Sequence, residues 1–142
     1  MSLFSTEQVL VPLDFSDEAF KALRDALAFV GDASHLHVLH VLHKLEPTEP
    51  GVVWQTLDET TRSKNVERAF YEEFSEPEYR AVQLSIVTGD PSSEILDYAK
   101  THNISLIVIP SQGRNGIGRF FLGSVAERVI RYAHCPVLVL RQ

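Results

Sequence analysis

The chain predicts an α/β protein, one domain of repeated β-α units built on an open parallel sheet. Short apolar runs of strand length alternate with longer segments whose apolar residues recur at helical spacing, which is the pattern of such units. A second observation points the same way. The stretch Pro110-Ser-Gln-Gly-Arg-Asn-Gly-Ile-Gly-Arg-Phe-Phe-Leu-Gly-Ser124 lies between one apolar run and a helix-like segment, where folds of this class carry phosphate-binding loops. At 142 residues, read as a single domain over 1–142, a chain of this size buries roughly 68 to 70% of its unfolded surface and needs no covalent staples.

Five strands are readable in order. The first runs from Gln8 to Leu13, and the helix after it is drawn by Phe20, Leu23, Leu27 and Val30, with Ser16 or Asp17 available to cap it. The second strand spans His35 to Leu42. The piece from Lys44 to Val53 holds Pro47, Pro50 and Gly51 and reads as a loop, and Leu57 to Phe74 reads as a polar helix with a weak apolar stripe. After a third strand from Val82 to Val87, Gly89-Asp90-Pro91 supplies a turn, an N-cap and a proline at the first helical position; Ile95, Leu96 and Ala99 then face inward until the helix ends near Asn103. The fourth strand is Ser105 to Ile109. The last helix, Ser124 to Ala133, carries Val125, Val129 and Ile130 before His134-Cys135-Pro136 breaks it, and the fifth strand is Pro136 to Leu140.

Composition narrows the function. With 44% hydrophobic and 23% charged residues the chain is an ordinary globular protein. A net charge of −6 and no Lys/Arg run exclude general attraction to nucleic acid or to an anionic membrane, so any anion must be bound locally. No stretch reaches the 18 or so apolar residues of a spanning helix, and the N-terminus lacks a basic segment followed by a long apolar one; a cytoplasmic protein is the expectation. Cys135 is the only cysteine, so no disulfide forms within the chain, in keeping with a reducing compartment.

The glycine loop and Asp14 are the candidate chemistry. Glycines let backbone approach a ligand, and a helix starting near Gly123 and Ser124 would aim free N–H groups and its positive dipole end at an anion. Asp14 directly follows the first strand, and ligands of open α/β sheets bind beyond the carboxyl ends of the strands where their order reverses. If the first and fourth strands are neighbours, both features face one crevice.

Val-Leu-Val-Pro-Leu-Asp14, Leu-His-Val41, Gly89-Asp-Pro, Gly-Arg114, Leu-Gly-Ser124-Val-Ala-Glu and Cys135-Pro-Val-Leu-Val-Leu together resemble the universal stress proteins over nearly the whole length. The resemblance implies a Rossmann-like sheet of five parallel strands in the order 3-2-1-4-5 with helices on both faces. It further implies a homodimer, the fifth strand (Pro136 to Leu140) being the sheet edge open to a second copy. Members that bind ATP or AMP look like Gly-x2-Gly-x9-Gly-Ser/Thr in this region. Here the second and third glycines match as Gly113 and Gly123, followed by Ser124, while the first position is Pro110, which lacks an N–H. Carried over by residue, the resemblance implies Pro12 and Asp14 near base and ribose, Val41 against adenine, and Gly113, Gly123, Ser124 and Val125 around ribose and phosphates. Gln112 and Arg114 lie within the loop. Mg²⁺ could accompany ATP near Asp14. The function expected is a stress-response or regulatory module that binds an adenine nucleotide, with a nucleotide-free interaction scaffold or a slow ATP hydrolase as alternatives and no downstream protein partner named by the sequence.

Each residue also has a plainer role. Ser124-Val-Ala-Glu127 matches a capping box. Gly113, Gly116 and Gly118 suit turns, Asn115-Gly116 especially, and Asp14 suits a cap or an Asx-turn. Of His35, His37, His40 and His43, alternation sends the first two to one face of a strand and His40 to the other, which argues against a four-histidine metal site. His102 and His134 stand alone. Cys135 reads as a buried, inert thiol, and Trp54 either covers the crevice or fills core.

Overall fold

Parallel strands cannot be joined by tight turns, so every consecutive pair in this chain is separated by a crossover with a helix in it. The computed structural model describes residues 5–44, 59–112 and 122–141. In chain order they form β1 (Val9–Pro12), α1 (Asp17–Val30), β2 (Leu36–Leu42), α2 (Glu59–Glu73), β3 (Gln83–Thr88), α3 (Pro91–Thr101), β4 (Leu106–Pro110), α4 (Ser124–Tyr132) and β5 (Val137–Leu140). Short 3-10 turns at Ala33–His35 and Pro77–Ala81 lead into β2 and β3. All five strands expected from the sequence are present, each within a residue or two of its expected ends. The expected loop after Lys44, Trp54 and the start of the polar helix at Leu57 lie outside the described residues.

The sheet is parallel throughout, in the order β3-β2-β1-β4-β5. Its register pairs Val9 with Leu36 on one side and with Leu106 on the other. The central strands are covered on both faces, and Val9, Leu10, Val11, Leu106 and Ile107 are fully buried, which is why they read as continuous apolar runs rather than alternating ones. On one face α1, α2 and the residue just past α2 pack Ala19, Leu23, Phe70 and Phe74 against Val9, Val11 and Val38. On the other, α3 and α4 pack Ile95, Tyr98, Ala99 and Val129 against Leu10, Leu39 and Ile107.

Helix starts follow local chemistry in two cases and depart from it in one. Ser16 caps α1 by accepting the Ala19 N–H, and Asp90 caps α3 by accepting the Ser93 N–H ahead of Pro91. Gly89 before that cap holds φ 155°, a backbone conformation that residues with a Cβ rarely adopt. The capping box expected at Ser124 is not formed. Gly123 is the N-cap, with no side-chain bond, and Ser124 is already the first helical residue, one position past the place from which its hydroxyl would accept the Glu127 N–H. That N–H donates to the Gly123 carbonyl at 2.9 Å, while the Glu127 carboxylate pairs with Arg131 at 2.8 Å. Ile130, carried in the expected apolar set of this helix, is 41% exposed.

The histidines of β2 separate as alternation requires. His40 lies edge-on to Phe15, with ring centroids 5.0 Å apart, whereas His37 is buried on the opposite face beneath α3. His37 accepts the Tyr98 hydroxyl at Nδ1 (2.7 Å) and donates from Nε2 to Gln8 Oε1 (2.6 Å), with His102 stacked on Tyr98 at 3.7 Å. Burial, and secondarily the neighbouring His102, hold the His37 imidazole below its ordinary value of 6.5. The neutral ring is thus the form the fold prefers. An unfolded chain takes up the proton first, so this contribution to stability is complete above about pH 6.5 and is lost as pH falls through the lowered folded-state value. Urea melts of the wild type should therefore lose stability from pH 7 to pH 5. His37→Leu should cost about 1 to 3 kcal/mol at pH 7, because the Tyr98 and Gln8 groups lose their partner, and should flatten the pH slope. Parallel slopes in the two proteins would contradict the assignment.

Candidate functional site

The chain leaves β1 through a tight turn held by one carboxylate. Asp14 Oδ1 accepts the Ser16 N–H at 3.0 Å and the Ser16 hydroxyl at 2.6 Å, and Ser16 in turn caps α1. This Asx-turn carries Phe15 in the left-handed region at φ 61°, a conformation costing roughly 1 to 2 kcal/mol for a residue with a Cβ. The ring is held in return by edge contacts with Phe20 at 5.7 Å and His40 at 5.0 Å. The Asx-turn expected as the plainer role of Asp14 is formed, and the residue also lines a cavity.

At the carboxyl end of β4 the glycine loop is clamped at both ends. Ser111 donates its N–H to the Leu140 carbonyl at 2.9 Å and accepts the Gly123 N–H at 2.7 Å. Pro110 is the buried last residue of β4, paired across to Leu140. The β1 pairing stops earlier, at Leu10 with Ile107, so the missing proline N–H interrupts no ladder bond there. From Gly123 the chain enters α4 directly. Among the described residues no side chain caps this helix, and the N–H groups of Ser124, Val125 and Ala126 have no bond to a described group.

These ends enclose a cavity of about 580 Å³. Pro12, Asp14, Val41, Gly123, Ser124 and Val125 all line it, so six of the nine residues singled out from the sequence come together. Gln112 is half-buried at the head of the loop and is not among the lining residues, while Gly113 and Arg114 lie outside the described residues. The walls differ in character. Leu39, Val41, Ile95, Ile109, Val125 and Ala126 form an apolar side toward α3 and α4, whereas Asp14, His40, His43 and Arg62 bring polar groups on the other. Arg62, near the start of α2, was not singled out by sequence; it donates from Nη2 to the His43 carbonyl at 2.9 Å. No spacing signal marks it, since the contact joins a helix to a carbonyl just past the end of β2.

Other sequence candidates lie elsewhere. Cys135 is half-buried against the α3/α4 side of the core, where burial pushes its thiol pKa up, away from the thiolate a nucleophile needs. Among the described residues no three His, Cys, Asp or Glu side chains converge as a metal site. No described helix is long and apolar enough to cross a membrane.

Comparison with known proteins places this geometry in a family. A model of the universal stress protein family matches residues 5–141. The universal stress protein YxiE of Bacillus subtilis is 32% identical over 145 residues, covering 94% of this chain and 98% of its own. The solved structure of MJ0577 from Methanocaldococcus jannaschii superposes with a TM-score of 0.76 at 30% identity, covering 96% of each chain. A universal stress protein solved in complex with cAMP shares the fold at 21% identity, with a TM-score of 0.63 and coverage of 96% of this chain and 98% of its own. The motifs at Asp14, Gly123 and the carboxyl-terminal strand, the β3-β2-β1-β4-β5 order and a family match running from Ser5 to Arg141 agree: the chain belongs to the universal stress protein family.

Proposed function

We propose that the chain, acting as one domain over its 142 residues, is a cytoplasmic stress-response or regulatory module that binds an adenine nucleotide, ATP or AMP. The observation that carries this reading is the convergence of Asp14, Val41 and the uncapped start of α4 on one cavity of about 580 Å³. That volume lies within the range of roughly 300 to 1,000 Å³ usual for small-molecule sites. The adenine lies on the apolar wall against Val41, with Pro12 beside it. Asp14 accepts ribose hydroxyls, a carboxylate having about four acceptor sites. Phosphate meets the N–H groups of Ser124 and Val125 across Gly123, where the helix dipole favours an anion. Gln112, Gly113 and Arg114 belong to the same loop and are proposed to close over the phosphates. The relative solved with cAMP supports this through the fold alone, and it is the fold that forms the crevice. Catalysis is incidental in this reading. Mg²⁺ enters with ATP and is held at Asp14.

Assembly follows from the sheet edge. The residues of β5 are half-buried, with neighbours on the β4 side only among the described residues. Unpaired edge groups are satisfied by antiparallel pairing with a second copy. The homodimer through Pro136 to Leu140 is part of the proposal.

Calorimetry should detect binding of ATP or AMP, and a hundredfold excess over Kd should stabilise the fold by about 2.7 kcal/mol. No heat at millimolar concentrations of either nucleotide would refute the reading and leave the interaction scaffold in its place. Gly123→Val separates the ligand role from the fold. The backbone at Gly123 is extended, φ −64° and ψ 152°, a conformation that valine adopts without backbone strain. Its stability cost should stay near 1 kcal/mol, while affinity should fall about tenfold to a hundredfold through loss of a charge-assisted bond. Ser124→Ala, which removes no cap here, should change stability by less than about 0.5 kcal/mol. Unchanged affinity in a folded Gly123→Val protein would make the loop only a turn. For the dimer, light scattering should give two chains at micromolar concentration. Val139→Pro, which deletes a ladder donor, should shift the protein toward monomer or aggregate; a wild-type mass of one chain would exclude this assembly.

A further inference from the structure

We propose that Arg62 sets the preference of this site for ligands with more than one phosphate, an inference that rests on the nucleotide reading above. A polyphosphate entering a chain of net charge −6 must be neutralised locally. The start of α4 offers a partial positive charge of about half a unit, and Asp14 in the same cavity carries a full negative one. Among the described lining residues only Arg62 has a permanent positive charge.

Its setting differs from that of the three described arginines held in ion pairs. Arg24, Arg128 and Arg131 are each paired with a carboxylate, at 2.8, 3.4 and 2.8 Å, on exposed surface. Arg62 is half-buried and pairs with no carboxylate among the described residues. Its partner is the neutral His43 carbonyl, which orients the guanidinium and takes one of its five N–H donors, so no carboxylate among the described residues compensates its charge. The cavity thus carries two electropositive features, the α4 start and the Arg62 guanidinium. A single phosphate is satisfied by the helix start. Additional phosphates extend the negative charge beyond the last helical N–H and into reach of a long, forked cation.

The test is to titrate adenosine, AMP and ATP calorimetrically into the wild type, Arg62→Gln and Arg62→Lys. Glutamine keeps a donor for the His43 carbonyl, and lysine keeps the charge. ATP affinity should fall about tenfold in Arg62→Gln, the size of one charge-assisted bond in a partly wet site, while AMP should lose about threefold or less and adenosine nothing. Arg62→Lys should retain ATP binding within about threefold of wild type, since a point charge replaces the fork. An equal loss for all three ligands would mean that Arg62 only holds the His43 end of β2 in place, and an unchanged ATP affinity would mean that it faces no phosphate; either result overturns the proposal while leaving nucleotide binding intact. A wild type that binds none of the three ligands removes the nucleotide reading, and this inference with it.

Discussion

The structure depends on one topological constraint, the reversal of strand order at β1. Crossovers between parallel strands of one sheet are right-handed in nearly all proteins. The chain builds from β1 outward to β2 and β3, then returns to the other side of β1 for β4 and β5. Progress in opposite directions with one handedness puts α1 and α2 on one face and α3 and α4 on the other, which is the division of the two core clusters. At the reversal, the turn after β1 and the start of α4 leave the sheet toward opposite faces, and the gap between them is the cavity. No side chain had to be selected to open that gap.

Side-chain chemistry acts at the rim. A single carboxylate oxygen of Asp14 holds the Ser16 amide and hydroxyl, and thereby both the left-handed Phe15 and the cap of α1. Loss of this carboxylate would release a strained residue, uncouple a helix start and remove an acceptor from the cavity together. Local strain kept at a site and supported by its surroundings is a recurrent mark of function. The contrast among the helix starts points the same way: α1 and α3 are capped by their own side chains, and α4, whose start lines the cavity, is not.

How much of this was legible in the sequence varies with the range of the interaction. The strands could be read because burial on both faces writes apolar runs, and the caps at Ser16 and Asp90 because they act within three residues. The Ser124 box was misleading for an instructive reason. Its pattern fixes residue types but not helix register, and the register is decided by the Gly123 N–H locked to the Ser111 carbonyl across the whole glycine loop. Distant partners left no signal at all: Arg62 meets His43 nineteen residues away, and His37 meets Tyr98 sixty-one residues away. The separation of His37 from His40 was legible because alternation along a strand is a local rule.

The charge distribution also bears on how a ligand would be captured. Surface charges act over about 8 Å at physiological ionic strength, and the chain as a whole is acidic, so an approaching nucleotide gains nothing from long-range steering. The groups that favour an anion, the N–H groups at the α4 start and the Arg62 guanidinium, line the cavity itself and act only at contact. Attraction of that kind raises residence time more than encounter rate. Against it, the apolar wall of Val41, Ile95, Ile109 and Val125 favours a ligand with an apolar face to bury. A free phosphate can satisfy one wall and a free base the other. A nucleotide, the proposed ligand, would satisfy both, and joining the two halves would spare the entropy that two separate ligands would each lose; on that proposal the division of the walls favours the joined molecule over either half.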